Sequence, residues 1–164
     1  MGIVADTSPD PELGAIVEAC IETLLARDRF LLEGGVNEQT MTARLAAYLQ
    51  EHFPAHDVDP EYNRHGIKVK RASLFDGVRK VKPDVVIHRR NDDDHNLLVI
   101  EVKVLGRGTL EDREHAHDKL SALVHGDEYR YRYGLFLELG FDQDQVARIV
   151  EIHWYVRNPE GGIA

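Results

Sequence analysis

The sequence predicts an α/β domain in which a mixed central β-sheet is flanked by helices. Three observations carry that reading. Two runs of apolar residues at helical spacing open the chain. The period then shortens to that of strands, and a further helical run is inserted before the last two strands. The resulting order, α, α, β, β, β, α, β, β, is that of one sheet with helices packed on it.

Residues 1–10 are polar and contain Pro9, and read as a flexible tail. Pro11 suits the first position of a helix. Leu13, Ile16, Val17, Cys20, Leu24 and Leu25 then recur at helical spacing until Gly34-Gly35 stops the run, which places an N-terminal helix within 11–35. Asn37 is a good N-cap for a second helix that carries Met41, Leu45, Tyr48 and Leu49 on one face to about His52, and Pro54 ends it. Residues 58–70 read as extended segments, with Asp76-Gly77 as a turn. Asp84–Arg89 is a short strand, 91–96 a polar turn, and Leu97–Leu105 the most apolar strand in the chain, broken by Gly106 and Gly108. Residues 109–124 form a helix with Ala116, Leu120, Leu123 and Val124 inward. Tyr131–Leu139 and Val146–Val156 are the last two strands, joined by a polar turn at 140–144, and 158–164 is a second tail.

A chain of 164 residues with 43% hydrophobic and 30% charged residues is sized and composed for one globular domain. Its single cysteine, Cys20, excludes an internal disulfide and reads as a small core residue on an apolar helix stripe. No apolar run approaches the ~20 residues of a membrane span, and no secretory signal precedes the first acidic residues. Asp6 stands where a myristoylated N-terminus prefers Ser or Thr. The expectation is a cytoplasmic protein with no membrane partner.

The formal charge of −9 weighs against a polyanionic ligand, but the distribution is uneven. Residues 64–90 hold nine Lys and Arg against two acids, +7, while the remainder holds 11 basic against 27 acidic residues, −16. A basic tract on an acidic body is read in two ways: a guide for nucleic acid, or a solvated charged loop.

The candidate chemistry lies on the strand 97–105. Leu98, Ile100, Val102 and Val104 fill one face, and Leu97, Val99, Glu101, Lys103 and Leu105 the other. Glu101 and Lys103 therefore interrupt a surface that is otherwise apolar on both sides, and burying such charges is costly without a purpose. Pro83-Asp84 opens the preceding strand, and the short polar turn makes the two strands hairpin neighbours, so Asp84 comes beside Glu101. Two carboxylates and an ammonium in adjacent strand positions suit metal-assisted phosphodiester cleavage: hard oxygens hold Mg²⁺, and a lysine positions or deprotonates a water. A plain Glu–Lys ion pair is the alternative.

At these residues the chain resembles the PD-(D/E)xK superfamily, through Pro83-Asp84, a 16-residue gap and Glu101-Val102-Lys103, preceded by a helix that opens on Glu38. The resemblance covers about residues 36–157 and implies a restriction-endonuclease-like core. It implies that Asp84 and Glu101 ligate Mg²⁺ or Mn²⁺ with the backbone carbonyl of Val102, and that Lys103 orients the attacking water. Glu38 matches the acidic residue many members carry on the helix before the sheet; a carboxylate serving the helix dipole is its other reading. Asp118-Lys119-Leu120 and 61–64 also look like family features. Tyr62 and Arg64, with Lys68, Lys70 and Arg71 of the basic tract, are candidates for nucleic-acid contact, DNA or RNA. The function implied is a metal-dependent endonuclease, with a homodimer or a partner subunit as a source of additional grip. The competing reading is a non-catalytic nuclease-fold module that binds nucleic acid or a protein. His88, His117 and His153, alternating with apolar neighbours, read as structural histidines, and a zinc site of Glu111, His115 and Asp118 is set aside for want of an HExxH pattern or cysteines.

Overall fold

The computed structural model describes residues 3–35, 37–65, 68–74 and 77–158, with the side chains of 3–5 and 68–69 excepted. The chain runs through β1 (Ile3–Ala5), α1 (Pro11–Arg27), the short α2 (Arg29–Glu33) and α3 (Glu38–His52). Then come β2 (Asp57–Pro60), β3 (Arg64–His65), β4 (Lys68–Val69), β5 (Arg71–Leu74), β6 (Gly77–Lys80) and β7 (Val85–His88). A 3₁₀ turn at Asp93–His95 leads to β8 (Leu98–Val104), and α4 (Leu110–His125), β9 (Tyr133–Phe141) and β10 (Ala147–Val156) complete the chain.

Six strands form one mixed sheet in the order β1-β10-β9-β8-β7-β2. Only β8 and β9 run parallel, and α4 makes the crossover between them. β3–β4 and β5–β6 are separate two-stranded hairpins. The expected mixed sheet with flanking helices is therefore present. One difference stands out. The stretch 1–10, read as a flexible tail, supplies the edge strand β1, which pairs antiparallel with β10 from Ile3↔Val156 to Ala5↔Trp154. The interrupted extended segments expected over 58–70 are present as β2, β3 and β4, and 71–80 forms the hairpin β5–β6. Of the expected Asp76-Gly77 turn, Asp76 lies outside the described residues, as do 159–164 of the C-terminal tail.

Local chemistry explains the helix limits. Asp10 caps α1 by accepting from the Leu13 N–H, with Pro11 at the first position. Asn37 caps α3 by accepting from the Gln39 N–H. Thr109 and Asp112 form a reciprocal capping box at α4.

The sheet is apolar on both sides. On one, Val85, Ile87, Leu98, Ile100, Val102 and Val104 pack against α1 and α3 through Val17, Ile21, Leu45 and Leu49. On the other, Val86, Val99 and Phe136 meet Ala116, Leu120, Leu123 and Val124 of α4. Each fully buried side chain of this size contributes roughly 1.5–3 kcal/mol. Gly134 permits the close approach of α4, since a Cβ there would stand 2.8 Å from Val124. Among the described residues, no helix is long and apolar enough to cross a membrane.

Candidate active site

Two neighbouring strands, β2 and β7, end together beside the middle of β8, on the sheet that α4 covers. The register Pro60↔Val85 and Val85↔Ile100 makes Glu61, Asp84 and Glu101 the next residues in line across β2, β7 and β8. The Glu61 N–H donates to the Asp84 carbonyl at 2.9 Å, which continues that line. Because side chains alternate, Asp84, Val86, Val99, Glu101 and Lys103 share the face that α4 covers.

β7 begins at Val85, so β8 runs beyond it with N–H groups to satisfy. The Asp84 carboxylate accepts from the Val102 N–H at 2.7 Å. Glu38, the first residue of α3, accepts from the Val104 N–H. Two acids from distant parts of the chain are thus held against one strand edge by its own backbone.

Glu101 is 1% exposed. Its Oε2 pairs with Lys119 Nζ of α4 at 2.9 Å, and its Oε1 is buried with no hydrogen-bond partner among the described residues. Burial, and then the charge of Asp84, push the Glu101 carboxyl up to about 8. Burial also raises Asp84, against the pull of the Val102 N–H, Lys119 and Lys103. Burial raises Glu38, with Lys103 and Arg107 opposing and Asp84 adding to the rise. Asp84, Glu101, Glu38 and Lys103 therefore lie in one electrostatic field. Lys103 is partly exposed and paired in register with Glu138 of β9, whose carboxylate is bound by Arg113 of α4. Arg113 also binds Glu151 of β10.

The donor set is compatible with a hard divalent cation. An ionised, buried carboxylate oxygen without a partner is costly to retain, and a cation is the kind of group that satisfies it. Among the described residues no group of three or more His, Cys, Asp or Glu is placed to hold a metal ion. The candidate set has two carboxylates, Asp84 and Glu101, with a backbone carbonyl, that of Val102, as its third expected member.

The residues expected to contact nucleic acid divide. Arg64 and Arg71 are exposed. Tyr62 is half-buried, its ring edge-on to His88 with centroids 4.5 Å apart. Lys68 lies in β4, and its side chain is outside the described residues. Lys70 is not a surface cation: it is 2% exposed, and its ammonium sits among Tyr62, Tyr129 and Tyr131. Its neighbours in sequence include Lys68 and Arg71, but two of its rings come from a segment about 60 residues later. Elsewhere in the basic tract, Lys82 pairs with Glu61 at 3.3 Å, and Arg90 pairs with Asp59 at 2.5 Å.

Sequence reading did not assign Lys119 a role on Glu101. The available signal was helical spacing: Lys119 follows Ala116 by three and precedes Leu120 and Leu123, on the border of the buried stripe of α4. The three histidines read as structural are all partnered: His88 with Asp59 at 2.8 Å, His117 with Tyr155 at 2.5 Å, and His153 with Glu151 at 2.5 Å. Comparison of the chain with family models, with curated proteins and with solved structures gave no match.

Proposed function

We propose that the protein is a metal-dependent nuclease with a restriction-endonuclease-like core, hydrolysing phosphodiester bonds of DNA or RNA at the cleft of Asp84, Glu101 and Lys103. The observation that carries the reading is the unpartnered, buried Glu101 Oε1 beside a second raised carboxyl, that of Asp84. A carboxylate oxygen left this way is costly to a purely structural core, and clustered, perturbed acids are typical of functional sites.

Asp84, Glu101 and the Val102 carbonyl would hold Mg²⁺ or Mn²⁺, which supplies phosphate polarisation and a more acidic water. The other parts belong to the chain. The Val102 N–H fixes the Asp84 carboxylate in one orientation. Lys119 holds the Glu101 carboxylate by one oxygen and leaves the other for a ligand. Lys103, partly exposed on the same face, is free to position the attacking water and to offset charge on the phosphate. Glu38 adds a third acid at the strand edge, close enough to influence Lys103.

The test is cleavage of duplex DNA, single-stranded DNA and RNA in Mg²⁺ and in Mn²⁺, with thermal unfolding measured in parallel. Cleavage with a metal-dependent rise in Tm is expected, and Asp84→Asn should lose both. The Lys119–Glu101 ion pair favours a second reading, a non-catalytic module in which lysine substitutes for a cation. Metal stabilisation without cleavage of any substrate would select that module. Neither effect would leave Glu101 as one half of a structural ion pair.

A further inference from the structure

A second polar site lies at the other end of β7. Lys70 follows β4, held by its N–H on the Asn63 carbonyl at 2.5 Å and by its carbonyl on the Val81 N–H at 2.9 Å. Its ammonium is 3.0 Å from Tyr131 Oη and 5.1 to 5.4 Å from the ring centroids of Tyr62, Tyr129 and Tyr131. No carboxylate among the described residues forms an ion pair with it. The ammonium has three donors, and one hydrogen bond is accounted for.

Lys70 lines a pocket of about 200 Å³, with Arg64 and Arg89 exposed at the rim and His65, His88 and Asn91 around it. The pocket also contains carboxylates, but these are engaged. Asp93 bonds His65, and Asp92 accepts from the Asp94 N–H and bonds His95 at 2.6 Å. The cations are not matched in the same way. The Lys70 ammonium touches tyrosines and feels Asp93 only through its field, and Arg89 spends its Nε on the Ala55 carbonyl at 3.0 Å. Burial pulls the Lys70 ammonium down to about 8, only partly opposed by the charge of Asp93, which makes no ion pair with it. Such a group is expensive to keep in the fold, and an oxyanion would supply the missing partner.

We infer that this pocket binds a phosphomonoester, with Lys70 as its buried counter-charge and Arg64 and Arg89 as its rim. The volume is the room of roughly seven waters at ~30 Å³ each, which admits one phosphate group and is far too small for a duplex. His88 lies four residues along β7 from Asp84 on the same face, roughly 13 Å away at ~3.3 Å per residue. A phosphate held here therefore stands within a few nucleotides of a bond lying at Asp84 and Glu101. On the nuclease reading, and resting on it, the ligand is the terminal phosphate of a nucleic-acid strand. The same chemistry in a free nucleotide or inorganic phosphate is the other source.

The experiment is run in EDTA, so that cleavage and metal binding play no part. Binding is measured by calorimetry for inorganic phosphate, a mononucleotide, and matched oligonucleotides with a 5′-phosphate, a 3′-phosphate or neither. One phosphorylated oligonucleotide is expected to bind at least about tenfold tighter than the unphosphorylated one. Lys70→Met should abolish that preference, and Arg64→Ala, an exposed change that cannot unfold the core, should reduce it several-fold. Asp84→Asn should leave it in place, which separates failure of the pocket from failure of the nuclease site. Lys70-dependent binding of phosphate or mononucleotide without preference among oligonucleotides keeps the pocket and removes the strand end as its ligand. Phosphate binding that is absent, or unchanged in both Lys70→Met and Arg64→Ala, overturns the inference.

Discussion

Asp84 and Glu38 accept hydrogen bonds from alternate N–H groups of one strand, Val102 and Val104, where β8 outruns its neighbour β7. The acids thereby replace a missing partner strand, and their mutual repulsion is held in place by backbone geometry. Substitutions at Asp84 should therefore separate charge from hydrogen bonding. Asp84→Asn keeps an acceptor for Val102 and removes a partly buried charge, so Tm without metal should hold or rise. Asp84→Ala leaves the N–H unpaired and should cost about 1–3 kcal/mol. Equal Tm values for the two variants would show that the hydrogen bond carries no weight. Both should lose the rise in Tm caused by Mg²⁺ or Mn²⁺, since only the folded chain assembles the site.

Lys103 and Lys119 both face Glu101 but should behave differently. Lys103→Ala removes a partly exposed ammonium that ligates nothing, so metal-induced stabilisation should persist while cleavage falls by roughly 10²-fold or more. Lys119→Met strips the buried Glu101 carboxylate of its ion partner. Removing one member of such a pair costs on the order of 3–5 kcal/mol while the survivor stays charged. The loss in Tm should accordingly grow as pH rises past about 8, where Glu101 ionises in the fold. A pH-independent loss would mean that Lys119 contributes packing alone.

Glu101 and Lys70 make opposite pH predictions. The Glu101 carboxyl titrates at about 8 in the fold, against 4.5 ordinarily, so the folded state binds the extra proton between those values. Its contribution is fully present below pH 4.5 and is lost as pH rises toward 8. For Lys70 the folded value is about 8 against 10.5, so the unfolded chain binds the extra proton and stability recovers between pH 8 and 10.5. The groups facing Lys70 are Tyr62, Tyr129 and Tyr131, with Asp93 and His88 in its field. Lys70→Met should raise stability near pH 7 by up to about 3 kcal/mol, and the gain should vanish above pH 10.5. Thermal unfolding of Glu101→Gln and Lys70→Met across pH 5–10.5 tests both, and a flat difference curve for either variant would remove its assignment.

Much of this arrangement was legible because it rests on local pattern. Asn37 announces α3, and the alternation around Glu101 and Lys103 places both on one sheet face. The polar turn at 91–96 makes β7 and β8 neighbours, which brings Asp84 to Glu101. What escaped depends on distant partners. Ile3–Ala5 is too short to show a period, and its partner Trp154 is about 150 residues away. Lys70 sits among basic residues and reads as exposed, since two of the three tyrosines that enclose it, Tyr129 and Tyr131, belong to the approach to β9. Lys119 was visible as a motif residue, but its contact with Glu101 follows from how α4 crosses β8 and β9.

The hairpin β5–β6 carries the last prediction. Arg71 and Lys80 are exposed and directly opposite in its register. Like charges in that relation destabilise an antiparallel pair, by an amount comparable to the roughly 0.2–1 kcal/mol that opposite charges contribute. Ala72 and Leu74 are buried, and Leu120, Leu123 and Val124 of α4 belong to the same apolar cluster, so the hairpin is anchored with these cations outward. A phosphate backbone lying along it would offset their repulsion. With Lys70 buried, Arg71 and Lys80 are the better candidates for a sequence-independent grip. Removing one cation that neutralises a phosphate should reduce the slope of log K against log salt by about 0.9 on duplex DNA, or about 0.7 on a single strand. Arg71→Ser and Lys80→Ser should each flatten that slope by up to one such step and raise Tm slightly in the absence of nucleic acid. Lys70→Met should leave the slope for unphosphorylated duplex unchanged. Should the double variant bind duplex with the wild-type slope, the nucleic acid does not lie on β5–β6, and the charge there is only a solvated surface.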